Sequence, residues 1–445
     1  MVGGRGRWRG RPSALLAATA MATAGSVGAA TAPASAATPA RTITLGIHDG
    51  AINMCDNGGS QTTPPTPAQL AAATSSFTDP HWSALHAFTV RFSPPWDIAY
   101  PQAVGGPNST AGKELAVIQA CLNAWLTGTG APNIRATPQI AFKPDPNYRS
   151  PDGKFVGVPD IHTYRLAIDR FTSEYSNPAN TNGRARVRII SPWGEPDLPV
   201  GGATRIFMPK GGHEFADPNC GASRNVNACG PILAAHMWQA VRASCPTQCN
   251  LLGQAAGSGV IAGDFSSLGG IRGPEAGPGG ALNGSYLDTY RQNLNRNRPL
   301  VWAVHPYSDI TAFEGADAAN PKAADRPPPA NSVVGAFARD LSTVGYHQNT
   351  QIWLNEISAF QYHNMKNEAT PSWNPSVQAA AGHYLLSVLP TAAGAPREPT
   401  VTRAYYLNFQ AADPSNSRWA LVLKGGLRAG QRLGSQLIYD TFVKR

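Results

Sequence analysis

The 445-residue chain lacks most of the short signatures that would fix an enzyme class outright. No Cys-x-x-Cys pair occurs, which argues against a cysteine zinc site, and "GGHEFAD" (211–217) has a His-Glu step without a second histidine at helical spacing, so a zinc protease is not supported. No Gly-x-Ser-x-Gly elbow points to a serine hydrolase. "GGPNSTAGKE" (105–114) places Glu114 after Lys113, where a phosphate loop needs Ser or Thr, and the Gly-rich "GIRGPEAGPGG" (270–280) lacks the dinucleotide fingerprint. No Lys/Arg run with interleaved aromatics is present, so a nucleic-acid partner is not expected. Beyond the N-terminal region no segment reaches the roughly 18 uninterrupted apolar residues of a membrane span. A Ser/Thr/Pro-rich hinge and internal repeats are also missing; the 39 prolines and 45 glycines are scattered, which suits one domain with many loops.

What is present begins with "RGRWRGR" (5–11), followed by the apolar "SALLAATAMATAGSVGAATA" and by Ala34, Ser35 and Ala36. A basic start, a diluted apolar stretch and a small-residue cleavage pattern read as a secretory signal over residues 1–36, leaving residues 37–445 as the mature, extracellular chain with no membrane anchor. Loss of Arg5, Arg7, Arg9 and Arg11 takes the formal net charge from +9 to +5, too little to single out an acidic partner. Six cysteines in an exported chain suit three disulfides. Loop-closure entropy favours the local pairs Cys220–Cys229 and Cys245–Cys249, which leaves Cys55 with Cys121.

Eight β-rich runs recur along the chain: 42–48, 87–93, 137–142, 186–191, 258–265, 300–305, 350–358 and 401–409. Between them lie amphipathic stretches at 112–126, 161–175, 232–243, 286–296, 332–344 and 376–389, with apolar residues three and four apart. Largely apolar strands alternating with helices imply parallel strands covered on both faces. Eight such units predict an α/β fold of the (β/α)8 TIM-barrel type, with a doubly wound open sheet as the rival. In such barrels the chemistry sits at the C-terminal ends of the strands. Glu195 in "SPWGEPD" (191–197) follows the fourth run and Glu356 in "IWLNEIS" (352–358) ends the seventh, so both should reach one rim.

"PWGEPD", "IWLNEIS" and "VWAVHPYSD" (301–309) together resemble the retaining glycoside hydrolases of clan A, in the style of family 39 and of the cellulase-like group. That resemblance implies an acid/base glutamate after strand four, a nucleophile after strand seven, a carbohydrate substrate and no metal or cofactor. Glycosidic cleavage needs one carboxyl to protonate the leaving oxygen and one carboxylate to attack the anomeric carbon. An ionised nucleophile disfavours a second negative charge beside it, so the expected roles are Glu195 as general acid/base and Glu356 as nucleophile. Gly194 departs from the clan's usual Asn before the acid/base, which also admits a carbohydrate-binding barrel without turnover.

The resemblance further implies an arginine pairing with the nucleophile, which Arg91 matches, and a tyrosine beside it, which Tyr307 matches. His305 is expected to contact sugar or a neighbouring acid. Trp96, Trp193 and Trp373 are candidates for stacking on sugar rings. His48 and Asp49, after the first strand, are candidates for the innermost subsite. The protein is expected to act as a monomer.

Overall fold

The computed structural model describes residues 43–49, 61–150 except 86, 88 and 135, 157–197 except 181, 226–266 except 252, 286–310 except 295 and 296, 313, 325–329, 332–358, 375–407, 410, 411, 422, 423 and 439. All of them fall in one compact unit, Ala40–Arg445.

The apolar runs form eight short parallel strands: β1 (Thr44–His48), β2 (Thr89–Phe92), β3 (Thr137–Ala141), β4 (Ile189–Ser191), β5 (Ala262–Ser266), β6 (Val301–His305), β7 (Gln351–Ile357) and β8 (Thr400–Leu407). Neighbours in sequence are neighbours in the sheet, and β1 pairs with β8, Thr44 opposite Arg403 through His48 opposite Leu407. The remaining seam closes through Ile190, which bridges Val260; the Ile190 amide donates to the Gly259 carbonyl and the Ile261 amide to the Ile190 carbonyl, both at 2.9 Å. An open doubly wound sheet would leave two unpaired edges, so the ring of pairings makes this a (β/α)8 barrel.

Helices between the strands start where side chains satisfy the first free amides. Ser109 accepts from Gly112 N at the head of Thr110–Thr129, and Asp160 from Thr163 N at the head of Ile161–Tyr175. Val333–Thr343 is held twice: Ser332 caps Gly335 N, and Asp309 accepts from Val333 N and Val334 N. Tyr164, Ala167, Ile168, Phe171 and Tyr175 form the buried stripe of the second of these helices, at the spacing its sequence predicts. Residues 67–84, which carry no long periodic run, fold as three short helices, Pro67–Ala73, Ser75–Thr78 and Pro80–Ala84, opened by a Thr66–Gln69 capping box and by Asp79.

Two apolar layers result. The larger lies between barrel and helices and is rich in rings, with Phe265 against Tyr286, Tyr290, Trp302 and Phe337. The smaller fills the barrel with Ile189, Leu251, Ile261, Val301, Ala303, Trp353 and Tyr405. Gly46 belongs to this filling: a Cβ there would lie 2.5 Å from the Tyr405 ring, so any side chain would displace the plug.

Cys245 and Cys249 are joined, as the local-pair expectation has it. Cys121 is also disulfide-bonded, its partner lying outside the described side chains; Cys55, Cys220 and Cys229 fall outside them too. Residues 1–36 are likewise not described. Among the described residues no helix is long and apolar enough to cross a membrane.

Candidate active site

The segment after β4 is fixed at five points, which is what turns a turn residue into a placed acid. Tyr164 donates to Pro192 O (2.6 Å), Gly194 N to Phe142 O (2.9 Å), Glu195 N to Asp264 O (2.9 Å), Tyr286 to Pro196 O (3.1 Å), and Ser266 N to Asp197 Oδ1 (2.7 Å). Glu195 adopts a left-handed backbone, φ 51°, a conformation that costs a non-glycine residue energy unless the surroundings impose it. Its hydrogen-bond partner Asp264 is left-handed as well, φ 60°, and sits where the β5–β6 register slips between Gly263 and Phe265. A bulge re-aims the side chain it carries, and here it places the carboxylate of Asp264 among the polar groups of the site. The β7–β8 register slips in the same way between Leu354 and Ile357, the stretch that contains Asn355 and Glu356.

Asp264 is the hub of the site. It is fully buried and accepts from Ser191 Oγ (2.7 Å), Asn355 Nδ2 (2.9 Å) and Arg91 Nη2 (3.0 Å), with His305 Nε2 at 2.9 Å. Burial alone would raise its carboxyl, but Arg91 and His305 hold it far below the usual carboxylate range. Arg91 also reaches Glu356 Oε2 and the Asn355 carbonyl through Nη1, both at 3.2 Å. Tyr307 donates to the other oxygen of Glu356 at 2.5 Å, and His48 Nδ1 lies 3.4 Å from Oε2.

Those contacts decide the charge of Glu356. Burial pushes its carboxyl up, yet the hydrogen bond from His48 and the charges of His305 and Arg91 bring it well below the ordinary range. Burial and the neighbouring Arg91, whose Nη1 lies 3.1 Å from the His48 Nδ1, lower His48. Burial would also lower His305, but the charge and hydrogen bond of Asp264 and the hydrogen bond to Glu195 raise it to about 10. Burial lifts Asp197 to about 8, against the hydrogen bond from Ser266 N.

His305 joins the two glutamates. Its Nδ1 lies 3.1 Å from Glu195 Oε1 and 4.0 Å from Glu356 Oε2. Those carboxylate oxygens can therefore be no farther apart than the two contacts laid end to end, about 7 Å; double displacement asks for roughly 5 to 5.5 Å between carboxyl groups and inversion for roughly 6.5 to 9.5 Å. Both side chains remain partly open, Glu195 at 24% and Glu356 at 20% exposure, while Arg91 and His305 are sealed beneath them. Two accessible carboxyls over a buried charged floor can hold a sugar ring between them.

The structure thus gathers Glu195, Glu356, Arg91, His305, Tyr307 and His48 at one mouth. Three other expectations give way. Trp96 is fully buried, its Nε1 donating to Gly157 O at 3.0 Å and its ring packed on Tyr148 and Tyr164, so it has no face for a sugar. Trp193 is 2% exposed and also lies in the core. Asp49 turns away from the mouth: its oxygens accept from Ser76 Oγ (2.8 Å) and Trp125 Nε1 (2.9 Å), pinning the residues 75–78 helix and the residues 110–129 helix behind β1. Leaving either buried donor unpaired would cost about 1–3 kcal/mol, which accounts for an acid there without a substrate. Trp373 lies outside the described residues.

Asp264, Asn355 and Ser191 are absent from the sequence-based set. One signal for Asp264 is legible: an acid in the middle of the apolar run "VIAGDF" (260–265) has to be paired if that strand is buried. Among the described residues no group of three or more His, Cys, Asp or Glu side chains is arranged to hold a metal ion.

No protein-family model and no curated relative matches the chain. Among solved structures it is similar to a GH5_18 protein from Streptomyces cattleya in complex with GlcNAc, at 11% identity and a TM-score of 0.48 over 91% of this chain and 80% of that one. A family 39 glycoside hydrolase from Bacteroides cellulosilyticus WH2 aligns at 14% identity and a TM-score of 0.46, over 91% of this chain and 63% of that one. The exo-beta-1,4-mannosidase Op5Man5 from Opitutaceae bacterium strain TAV5 aligns at 14% identity and a TM-score of 0.44, over 91% and 59%. The chain spans about three fifths of the length of these last two. At such identities the likeness is one of fold, and the chemistry is read from the side chains of this chain.

Proposed function

We propose that the protein is an exported glycoside hydrolase that cleaves O-glycosidic bonds of a polysaccharide or oligosaccharide by double displacement. Glu356 attacks the anomeric carbon while Glu195 gives a proton to the departing oxygen; water then breaks the glycosyl ester, returning its proton to Glu195 and leaving Glu356 free. The observation that carries this reading is the asymmetry of the pair. Glu356 is clamped by Arg91, Tyr307 and His48, the surroundings of a carboxylate that must stay ionised, while Glu195 meets the buried His305 and projects, partly exposed, from a strained, five-point-anchored turn. A groove that only bound sugar would gain nothing from holding one carboxylate ionised beside a second, partly exposed acid. The upper bound of about 7 Å set by the shared His305 contact leaves room for the closer spacing that double displacement needs.

Two measurements test the reading. Proton NMR of the first product released from an aryl glycoside or oligosaccharide should show the anomeric configuration of the substrate; an inverted product would remove Glu356 from the nucleophile's role. Export predicts that protein recovered from culture medium begins at Ala37, read by N-terminal sequencing, and an intact Met1 there would refute processing at Ala36.

A further inference from the structure

We propose that Asp264 is the positioning residue of this site: through His305 and Arg91 it sets the orientation and proton placement with which Glu195 and Glu356 meet a substrate, a role that rests on the hydrolase reading above. It cannot touch the sugar itself, because its side chain is fully buried.

The first support is connectivity. One carboxylate gathers Arg91 from β2, Ser191 from β4, His305 from β6 and Asn355 from β7, while its own carbonyl takes the Glu195 amide. Both acids of the proposed reaction are thus one residue removed from Asp264, Glu356 through Arg91 and Glu195 through His305 and the main chain. The left-handed backbone at Asp264 and the bulge around it are what a strand must adopt to send this one acid inward.

The second support is proton arithmetic. Asp264 can only accept, so His305 must keep a hydrogen on Nε2. The ring's other nitrogen faces Glu195 Oε1, and two arrangements with the same number of protons fit that contact. In one, an imidazolium donates Nδ1–H to the Glu195 carboxylate; in the other, the Glu195 carboxyl donates its proton to a neutral ring. Passing between them breaks an N–H bond and forms an O–H bond, with nothing added or lost. Asp264 therefore gives the acid's proton a second residence next door; once that proton has passed to the departing oxygen, the pair is left as a Glu195 carboxylate beside a neutral His305 that keeps its hydrogen on Nε2, ready to take a proton from the incoming water. An Asn at 264 keeps the shape and removes the charge that supports the ring's second proton.

Other groups face His305 and set the sign. Asp264, Glu195 and Glu356 favour its charged form, whereas burial opposes it; Arg91 and His48 stand beside the same cluster, with Tyr307 at ring-edge distance, and Asp197 feels the ring's charge. A histidine whose protonation is raised on folding keeps its charge until the pH climbs through its folded value, here about 10. Without Asp264 the ring loses the largest support of its charge while burial still opposes it, so it should discharge at a lower pH than in the wild type.

The test uses the mature chain with nitrogen-15 histidine labelling, His305 being assigned through His305→Gln. At pH 8 wild-type His305 should give the signature of an imidazolium and Asp264→Asn that of a neutral ring. On an aryl glycoside, Asp264→Asn should lose roughly 10²-fold in kcat/KM at neutral pH, and the acid limb of its pH profile should move to higher pH as Glu356 loses a cationic neighbour. A neutral His305 in the wild type at pH 8, the same titration in both proteins, or a uniform rate loss with unmoved limbs would each overturn the proposal. If Asp264→Asn does not fold, the wild-type ring signature decides. If no form turns over any glycoside, the hydrolase reading fails while the ring comparison still judges Asp264.

Discussion

Replacing Glu356 by Gln should leave a folded, sugar-binding protein whose kcat has fallen by roughly 10⁵-fold, the scale on which loss of a covalent nucleophile is felt. The amide keeps the volume and can still accept from Tyr307, while Arg91 retains Asp264 and the Asn355 carbonyl. The fold should therefore tolerate the change, all the more because the side chain is 20% exposed and water offsets part of the lost charge. What disappears is the one oxygen able to bond to the anomeric carbon. Glu356→Ala goes further, since it opens a space in which a small anion such as azide can attack from the same side, giving a glycosyl azide of inverted configuration. The variants are compared by steady-state kinetics on an activated aryl glycoside and by calorimetric titration with an oligosaccharide. Turnover within tenfold of wild type in Glu356→Gln would dismiss it as nucleophile. The wild-type pH profile carries a related expectation: because its neighbours depress Glu356, the acid limb should lie below the usual carboxylate range, activity being lost only as the pH falls through that lowered value.

Much of this architecture is legible in the sequence because parallel strands buried on both faces write themselves as apolar runs. Each of the eight runs contains its strand to within a residue or so, from Thr44–His48 to Thr400–Leu407. The ends are harder to read: β4 is only Ile189–Ser191 within the run 186–191, since the Val187 amide is taken by the Tyr175 carbonyl at the end of the preceding helix and not by a neighbouring strand. Glu195 and Glu356 are legible because strand position alone assigns them to one rim. Trp96 and Trp193 mislead for a physical reason: a loop next to the mouth can fold back over the barrel, and an indole with one polar atom is as well suited to that packing as to a sugar. Asp49 misleads likewise, since two donors some distance along the chain, Ser76 and Trp125, claim it. Asp264 escapes because its inward turn depends on a bulge and a left-handed backbone, neither of which alternation of apolar residues encodes.

Glu195→Ala should separate the two halves of the reaction, and its effect should depend on the leaving group. For an unactivated oligosaccharide the departing alkoxide cannot leave without a proton, so kcat/KM should fall by roughly 10³- to 10⁴-fold, the range of a positioned general acid. For a dinitrophenyl glycoside, whose leaving group needs no proton, the first step should proceed at near wild-type rate and the second should become limiting, because no base remains to activate water. A burst of dinitrophenol followed by slow turnover is then expected, with the glycosyl ester on Glu356 detectable by intact-protein mass spectrometry. The fold should survive: the anchors of the turn are the Glu195 amide, Gly194, Pro192, Pro196 and Asp197, none of which involves the removed side chain. His305 keeps its Asp264 partner on Nε2, and the space left by the carboxylate opens beside its Nδ1. A small carboxylate such as formate could enter there and restore part of the second step. An equal loss on both classes of substrate, with no burst and no ester, would show that Glu195 only shapes the mouth, and the acid would have to be sought elsewhere on the rim.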